Sequence, residues 1–326
     1  MTQALPPEAA GMVFRLHDRR DYMSREQAAA IAQSLRDSPF DPGGDAVEQR
    51  VLFARLMATR PSPAGVVTSE LRLGGTPAIG ISVGDPRPDG PAVLYFHGGG
   101  YAVGTAVQTI GLPAEIARRG NCMVLSVDYR LAPEDPFPAA VDDGLDAYKG
   151  ALGAYPVTRL AVAGESAGGG LALATLLAAR QRGLPMPAAV LVMSPWVDLT
   201  LSGPSLTTKA SVDPVMTLQA LERRAEEYAG NEPRTNPLVS PLWGDFGGFP
   251  PLLIQVGSHE ILLDDAVRLA GRAAASDVPV VLEVTPYVHH VFQAVAAQLD
   301  EGDAALRRAS AFLSQHLSGP GPAQSP

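Results

Sequence analysis

The chain has 326 residues, 46% hydrophobic and 18% charged, a balance that supports a sizeable buried core in one large α/β domain or two smaller ones. A formal net charge of -9 and a pI near 5.2 argue against nucleic acid and anionic membrane surfaces as partners. Cys122 is the single cysteine, which excludes an internal disulfide framework. No apolar run reaches the length of a membrane span, and the N-terminus lacks a signal-peptide pattern, so the expected location is cytoplasmic without membrane insertion.

Residues 1–60 are helical in pattern. Ser24 is placed to cap a helix over 25–35, with Gln27 at the capping-box position, and a second helix is expected over 45–58. The Arg19-Arg20 pair reads as a solvated face. From Thr68 the period changes. Strands are expected at 69–73, 78–83, 92–96, 122–127, 160–163, 189–193, 252–256 and 280–284. Several are continuous apolar runs, as in strands covered on both faces. Helical patterns lie between and after them, at 112–119, 139–151, 171–180, 264–276 and 302–316. Strands alternating with helices predict a mostly parallel sheet flanked by helices. The interval 195–250 breaks the alternation: it holds one helical stretch, 218–228, and many Pro, Gly and Asn residues. Such an insertion after a strand's C-terminal end is expected above the site end of the sheet, forming a lid with the N-terminal helices. Phe14, Met23, Trp196, Met216 and Tyr228 are its candidate pocket walls, each equally able to serve as packing. The tail 318–326 is low-complexity and reads as disordered.

Chemistry concentrates at four places. Gly164-Glu165-Ser166-Ala167-Gly168 lies between a strand and a buried helix, the context of a nucleophile elbow, in which a sharp turn presents the serine hydroxyl beside a helix N-terminus. His97-Gly98-Gly99-Gly100-Tyr101 follows the strand 92–96 at once, and its backbone amides, with that of Ala167, suit the charge of a tetrahedral intermediate. No phosphate-loop pattern accompanies it. Of six histidines, His17 and His316 read as surface residues and His97 as a brace for its loop; His259, His289 and His290 remain. The order nucleophile, acid, base favours the loop 287–292 for the base and the loop after 252–256 for the acid, where Glu260 is the first carboxylate. Asp264 and Asp265 read as the start of the next helix. The adjacent histidines carry no third ligand at metal spacing, so no metal or cofactor is expected.

Assembled in this order, the chain resembles the bacterial hormone-sensitive-lipase-like (family IV) carboxylesterases of the α/β-hydrolase superfamily. His97-Gly98-Gly99-Gly100 is similar to the family's oxyanion motif, Asp128-Tyr129-Arg130-Leu131-Ala132-Pro133-Glu134 to its internal signature, and Ser194-Pro195-Trp196-Val197-Asp198 to the segment leading into its cap. Gly164–Gly169 resembles its nucleophile motif, with Glu165 where Asp is commoner, and Gly257–Leu262 its acid motif in the Glu version. The family's histidine directly precedes Val-Phe or Val-Trp, which selects His290. The resemblance implies an α/β-hydrolase fold with an eight-stranded, mostly parallel sheet. It divides the chain into an N-terminal cap part (1–60), a core (61–195), a cap insertion (196–245), a second core part (246–317) and the tail. It further implies hydrolysis of short-acyl esters by Ser166, His290 and Glu260, with Gly98, Gly99 and Ala167 as oxyanion donors and His97 and Gly100 supporting them. It also implies a homodimer through the edge strand 280–284. Lactone hydrolysis or acyl transfer would use the same residues, and a non-catalytic ligand-binding receptor on this fold is the reading from another class.

Overall fold

Among the apolar runs, those at 92–96, 160–165, 189–193 and 252–257 have every residue buried, so each needs cover on both faces and pairing on both edges. A computed structural model of the chain, describing residues 12–14, 25–60, 62–84 and 90–317, satisfies this with one central sheet. Its strands are β1 (Met12–Phe14), β2 (Val66–Leu73), β3 (Thr76–Val83), β4 (Ala92–Phe96), β5 (Met123–Val127), β6 (Leu160–Glu165), β7 (Ala189–Met193), β8 (Leu252–Gly257) and β9 (Val280–Thr285). The helices are α1 (Arg25–Arg36), α2 (Ala46–Ala58), α3 (Gly111–Gly120), α4 (Ala139–Ala154), α5 (Ala167–Gln181), α6 (Ser205–Thr208), α7 (Leu218–Ala229), α8 (Leu263–Ala274) and α9 (Asp300–Leu317). The strand order is β1-β9-β8-β7-β6-β4-β5-β3-β2. Only the β2–β3 and β3–β5 pairings are antiparallel. Because β4, β6, β7, β8 and β9 run parallel, the loops leaving their C-terminal ends gather along one edge of the sheet.

All eight expected strands are present, within three residues of their expected ends. A ninth, β1, lies in the stretch read as helical and adds in parallel to β9, Met12 opposite Val280 and Phe14 opposite Leu282. Three extended residues are too few to show a period, and their conformation follows from the open edge they cover. That edge is the one a second copy was expected to use, and over Val280–Leu282 it is taken. Ser24 and the tail 318–326 lie outside the described residues.

The interval 195–250 carries no strand, as expected, but holds the four-residue α6 as well as α7. It is fastened at both ends. Arg224 of α7 is buried and donates from Nε to Pro42 O at 2.8 Å and from Nη2 to Gly44 O, while Arg223 Nη1 reaches Gly43 O at 3.0 Å. Below, Asp265 at the start of α8 accepts the amides of Val197 and Asp198, both at 2.9 Å. From the other side, Arg50 of α2 bonds Ala102 O (2.9 Å), Ala132 O (3.1 Å) and Glu134. The N-terminal helices and the insertion therefore meet above the sheet's site edge.

Arg224→Ala leaves two carbonyls of the 42–44 turn without their donor. It should cost about 2 kcal/mol of stability, read as a lower urea midpoint. A loss below about 0.5 kcal/mol would mean that Arg224 does not fasten the two parts together.

Candidate active site

Ser166 sits between β6 and α5 at φ 54°, ψ -125°, a strained conformation for a residue with a side chain. Its neighbours make the turn achievable: a Cβ on Gly168 would fall 2.1 Å from Phe96 O, so only glycine fits there. The hydroxyl lies 2.9 Å from His290 Nε2, on the loop after β9. His290 Nδ1 lies 2.7 Å from Glu260 Oε2, on the loop after β8. Glu260 is fully buried, and its other oxygen accepts the Gly257 amide (2.5 Å) and the Ser194 hydroxyl (2.9 Å). Ser194 Oγ in turn accepts the amide of Val291, next to His290, at 3.0 Å. Three residues chosen from the sequence thus meet in one hydrogen-bonded chain.

Burial works to lower the pKa of His290, but its bond to Glu260 and the charges of Glu260, Asp213 and Glu165 outweigh this, and the net shift is upward from 6.5. His289 shows the contrast. Burial, with Arg60 nearby, lowers it to about 3, and it stays a neutral wall residue. His259 packs edge-on against Tyr287, and His316 against Phe312. Asp264 and Asp265 lie in the first turn of α8, the helix start expected for them, where Asp264 accepts the Ser205 amide at 2.6 Å and Asp265 holds the insertion.

The glycine-rich loop folds against the elbow. The His97 Nδ1 lies 2.7 Å from Gly98 O, its ring stacks on Tyr129 with centroids 4.5 Å apart, and Tyr129 donates to His97 O at 2.7 Å. Gly99 adopts φ 119°, where a Cβ would lie 2.0 Å from Val103 O. One expectation fails here. The Gly98 amide donates to Glu165 Oε1 at 2.7 Å, so it is already engaged and not free to hold an oxyanion. Among the described residues the amides of Gly99 and Gly100 donate to no acceptor, and the Ala167 amide heads α5, where no intrahelical partner exists. Glu165 is fixed from its other oxygen by the Tyr95 hydroxyl, and burial pushes its carboxyl up to about 7 against these bonds.

Sequence reasoning gave Ser194 no role beyond its place in the segment leading into the insertion, and missed Asp213, Tyr95 and Arg60. Asp213, in the insertion, accepts the Ile261 amide at 2.8 Å and so ties the acid loop from above. No spacing rule links it to a loop 48 residues away. Ser166, His290, the glycine loop, Trp196, Met216 and Arg60 line a cavity of about 330 Å³. Tyr228 does not; it is buried with its ring stacked 3.7 Å from that of Tyr101. Phe14's side chain and Met23 lie outside the described residues, as do His17 and the Arg19-Arg20 pair. Among the described residues no cluster of His, Cys, Asp or Glu suits a metal, and no helix is long and apolar enough to cross a membrane.

A family profile described as the alpha/beta hydrolase fold matches residues 93–294. The chain belongs to the α/β-hydrolase family. The hydrolase is 44% identical to an acetyl-hydrolase of Streptomyces hygroscopicus over 70% of this chain and 76% of the relative. It is 37% identical to an ethyl acetate hydrolase of Pseudomonas putida over 72% and 76%. A crystal structure of an esterase from the bacterial hormone-sensitive lipase family superposes with a TM-score of 0.86 at 39% identity, covering 90% of this hydrolase and 99% of that chain. The hydrolase is thus a carboxylic ester hydrolase of the bacterial hormone-sensitive-lipase-like group, acting on small-molecule esters.

Glu165→Ala frees the Gly98 amide and unfastens the loop from the elbow at the end of β6. The expected result is a kcat lower by about 10- to 100-fold with a smaller change in KM, since misplaced donors weaken transition-state binding more than ground-state binding. An unchanged kcat would show that the loop holds its position without Glu165.

Proposed function

We propose that this esterase hydrolyses short-acyl carboxylic esters through an acyl-enzyme on Ser166. The observation that carries the reading is the continuous hydrogen-bonded chain from Ser166 Oγ through His290 to buried Glu260. His290 takes the serine proton as Oγ attacks the ester carbonyl, and Glu260 holds the ring's tautomer and balances the imidazolium. The oxyanion is met by the amides of Gly99, Gly100 and Ala167, which have no acceptor among the described residues. Collapse of the intermediate expels the alcohol, which takes its proton from His290. A water molecule, giving its proton to the same nitrogen, then attacks the acyl carbonyl, and Ser166 leaves with the proton restored. The small cavity supports short acyl groups, as do the acetyl and ethyl acetate specificities carried in the relatives' names. In this reading the N-terminal helices with α6 and α7 form the cap over the core, and the enzyme works in the cytoplasm. A homodimer through β9 belongs to the same proposal, confined by β1 to the stretch beyond Leu282. Light scattering that finds a monomer at micromolar concentration would remove it.

The deciding experiment is turnover of p-nitrophenyl esters of increasing acyl length. Ser166→Ala should lower kcat by about 10⁴ to 10⁶. Glu260→Ala should cause a severe loss and Asp264→Ala a slight one; the reverse order would overturn the acid assignment. Equal inactivity of wild type and Ser166→Ala across the panel would overturn the esterase mechanism itself.

The acid limb follows from His290. Only its neutral form accepts the serine proton, and its pKa lies above 6.5, so kcat/KM should start to fall while the pH is still above 6.5 on the way down. A limb displaced well below 6.5 would contradict the coupling to Glu260.

A further inference from the structure

Among the described residues, five Arg, Asp or Glu side chains line the cavity: Arg36, Asp41, Arg60, Glu165 and Arg224. Three of them are engaged within the protein. Arg224 is tied to the 42–44 turn and Glu227, Glu165 to Tyr95 and Gly98, and Asp41 accepts the Gly43 amide at 2.8 Å. Arg36 is exposed at the end of α1 and can be solvated there. Arg60 is different. It follows the end of α2, is half-buried, and faces the same cavity as Ser166 and His289. Among the described residues no carboxylate pairs with its guanidinium and no carbonyl accepts from it.

Such a group is expensive to hold. A guanidinium carries five N–H donors in a planar fork and loses solvation as it is buried, so it normally has a bidentate acceptor. Burial lowers its pKa, and Glu165, whose charge opposes this, is bonded elsewhere. The dipole at the C-terminal end of α2 favours a cation here but leaves the five donors unmatched. The overall charge of -9 repels anions, so a positive group that no described residue pairs, on the wall of the cavity that also holds Ser166, acts against the field of the whole molecule.

We propose that the esterase acts on esters bearing a second, carboxylate group, and that the Arg60 guanidinium pairs with this carboxylate in the cavity. The inference rests on the assignment of the cavity as the ester site. The carboxylate enters as a bidentate partner to the fork, a geometry a lysine cannot reproduce.

The test uses two matched pairs of substrates. One carries the charge on the acyl side, 4-nitrophenyl hydrogen glutarate against 4-nitrophenyl pentanoate. The other carries it on the alcohol side, 4-acetoxybenzoate against its methyl ester. The quantity read is the ratio of kcat/KM, anionic over neutral, within each pair. In the wild type at least one ratio should equal or exceed 1 and should fall as salt is raised. Arg60→Gln should lower that ratio by about 10- to 100-fold, and Arg60→Lys by less. Wild-type ratios below about 0.1 in both pairs would overturn the proposal. So would a ratio unchanged by Arg60→Gln, including one preserved because both members of a pair lose activity equally. Hydrolysis of neutral esters without charge discrimination sinks this inference alone. Failure of the neutral esters in wild type and Ser166→Ala alike sinks the esterase mechanism instead.

Discussion

A carboxylate with no exposed surface is costly to bury unless hydrogen-bond donors surround it, and Glu260 is such a group. Its donors come from three places: the Gly257 amide at the end of β8, the Ser194 hydroxyl after β7, and His290 after β9. Satisfying one buried charge therefore fixes three loops relative to each other. Ser194 extends the effect, because the same hydroxyl that donates to Glu260 accepts the Val291 amide. Asp213 adds a fourth tether from the insertion. The imidazole thus points at Ser166 because its neighbours leave it few other ways to lie.

The elbow solves the complementary problem. Ser166 holds a strained backbone, and strain persists only where the surroundings leave no alternative. Here β6 is paired on both edges and α5 is packed on all sides, so neither flank can relax. Glu165 then couples the elbow to the glycine loop through Gly98, and Tyr95 of β4 secures it. Ser166 and the glycine loop are thereby joined at the centre of the sheet.

Much of this is legible in the sequence, and the parts that are not have physical reasons. Continuous apolar runs located the central strands β4, β6, β7 and β8, because burial on both faces writes an unambiguous pattern; β2, largely exposed, was marked instead by its alternation and flanking turns. β1 left no such mark, since three residues take their conformation from an edge distant in sequence. The loops bearing Ser166, Glu260 and His290 followed from topology, and the geometry brings those three residues together. Gly98 shows where motif reasoning ends. A run of glycines says that amides can approach a ligand, but not which amide already faces a carboxylate. Arg60 was invisible for a related reason: at the end of a helix its letter looks like any solvated cation, and only the fold reveals the wall it lines.

α5 has one further consequence. Every residue from Ala167 to Ala179 is buried, so the helix has no solvent-facing side and no amphipathic stripe. Such a segment cannot dock early as a half-wetted surface element; it becomes stable only when the layers on both sides close over it. Its amides should then exchange with solvent only through global opening, while the histidine loop and cap can open locally. The serine end of the site belongs to the last part of the molecule to come apart, and the histidine end to a part that can loosen first. Under mild denaturing stress, the site should come apart from His290 towards Ser166.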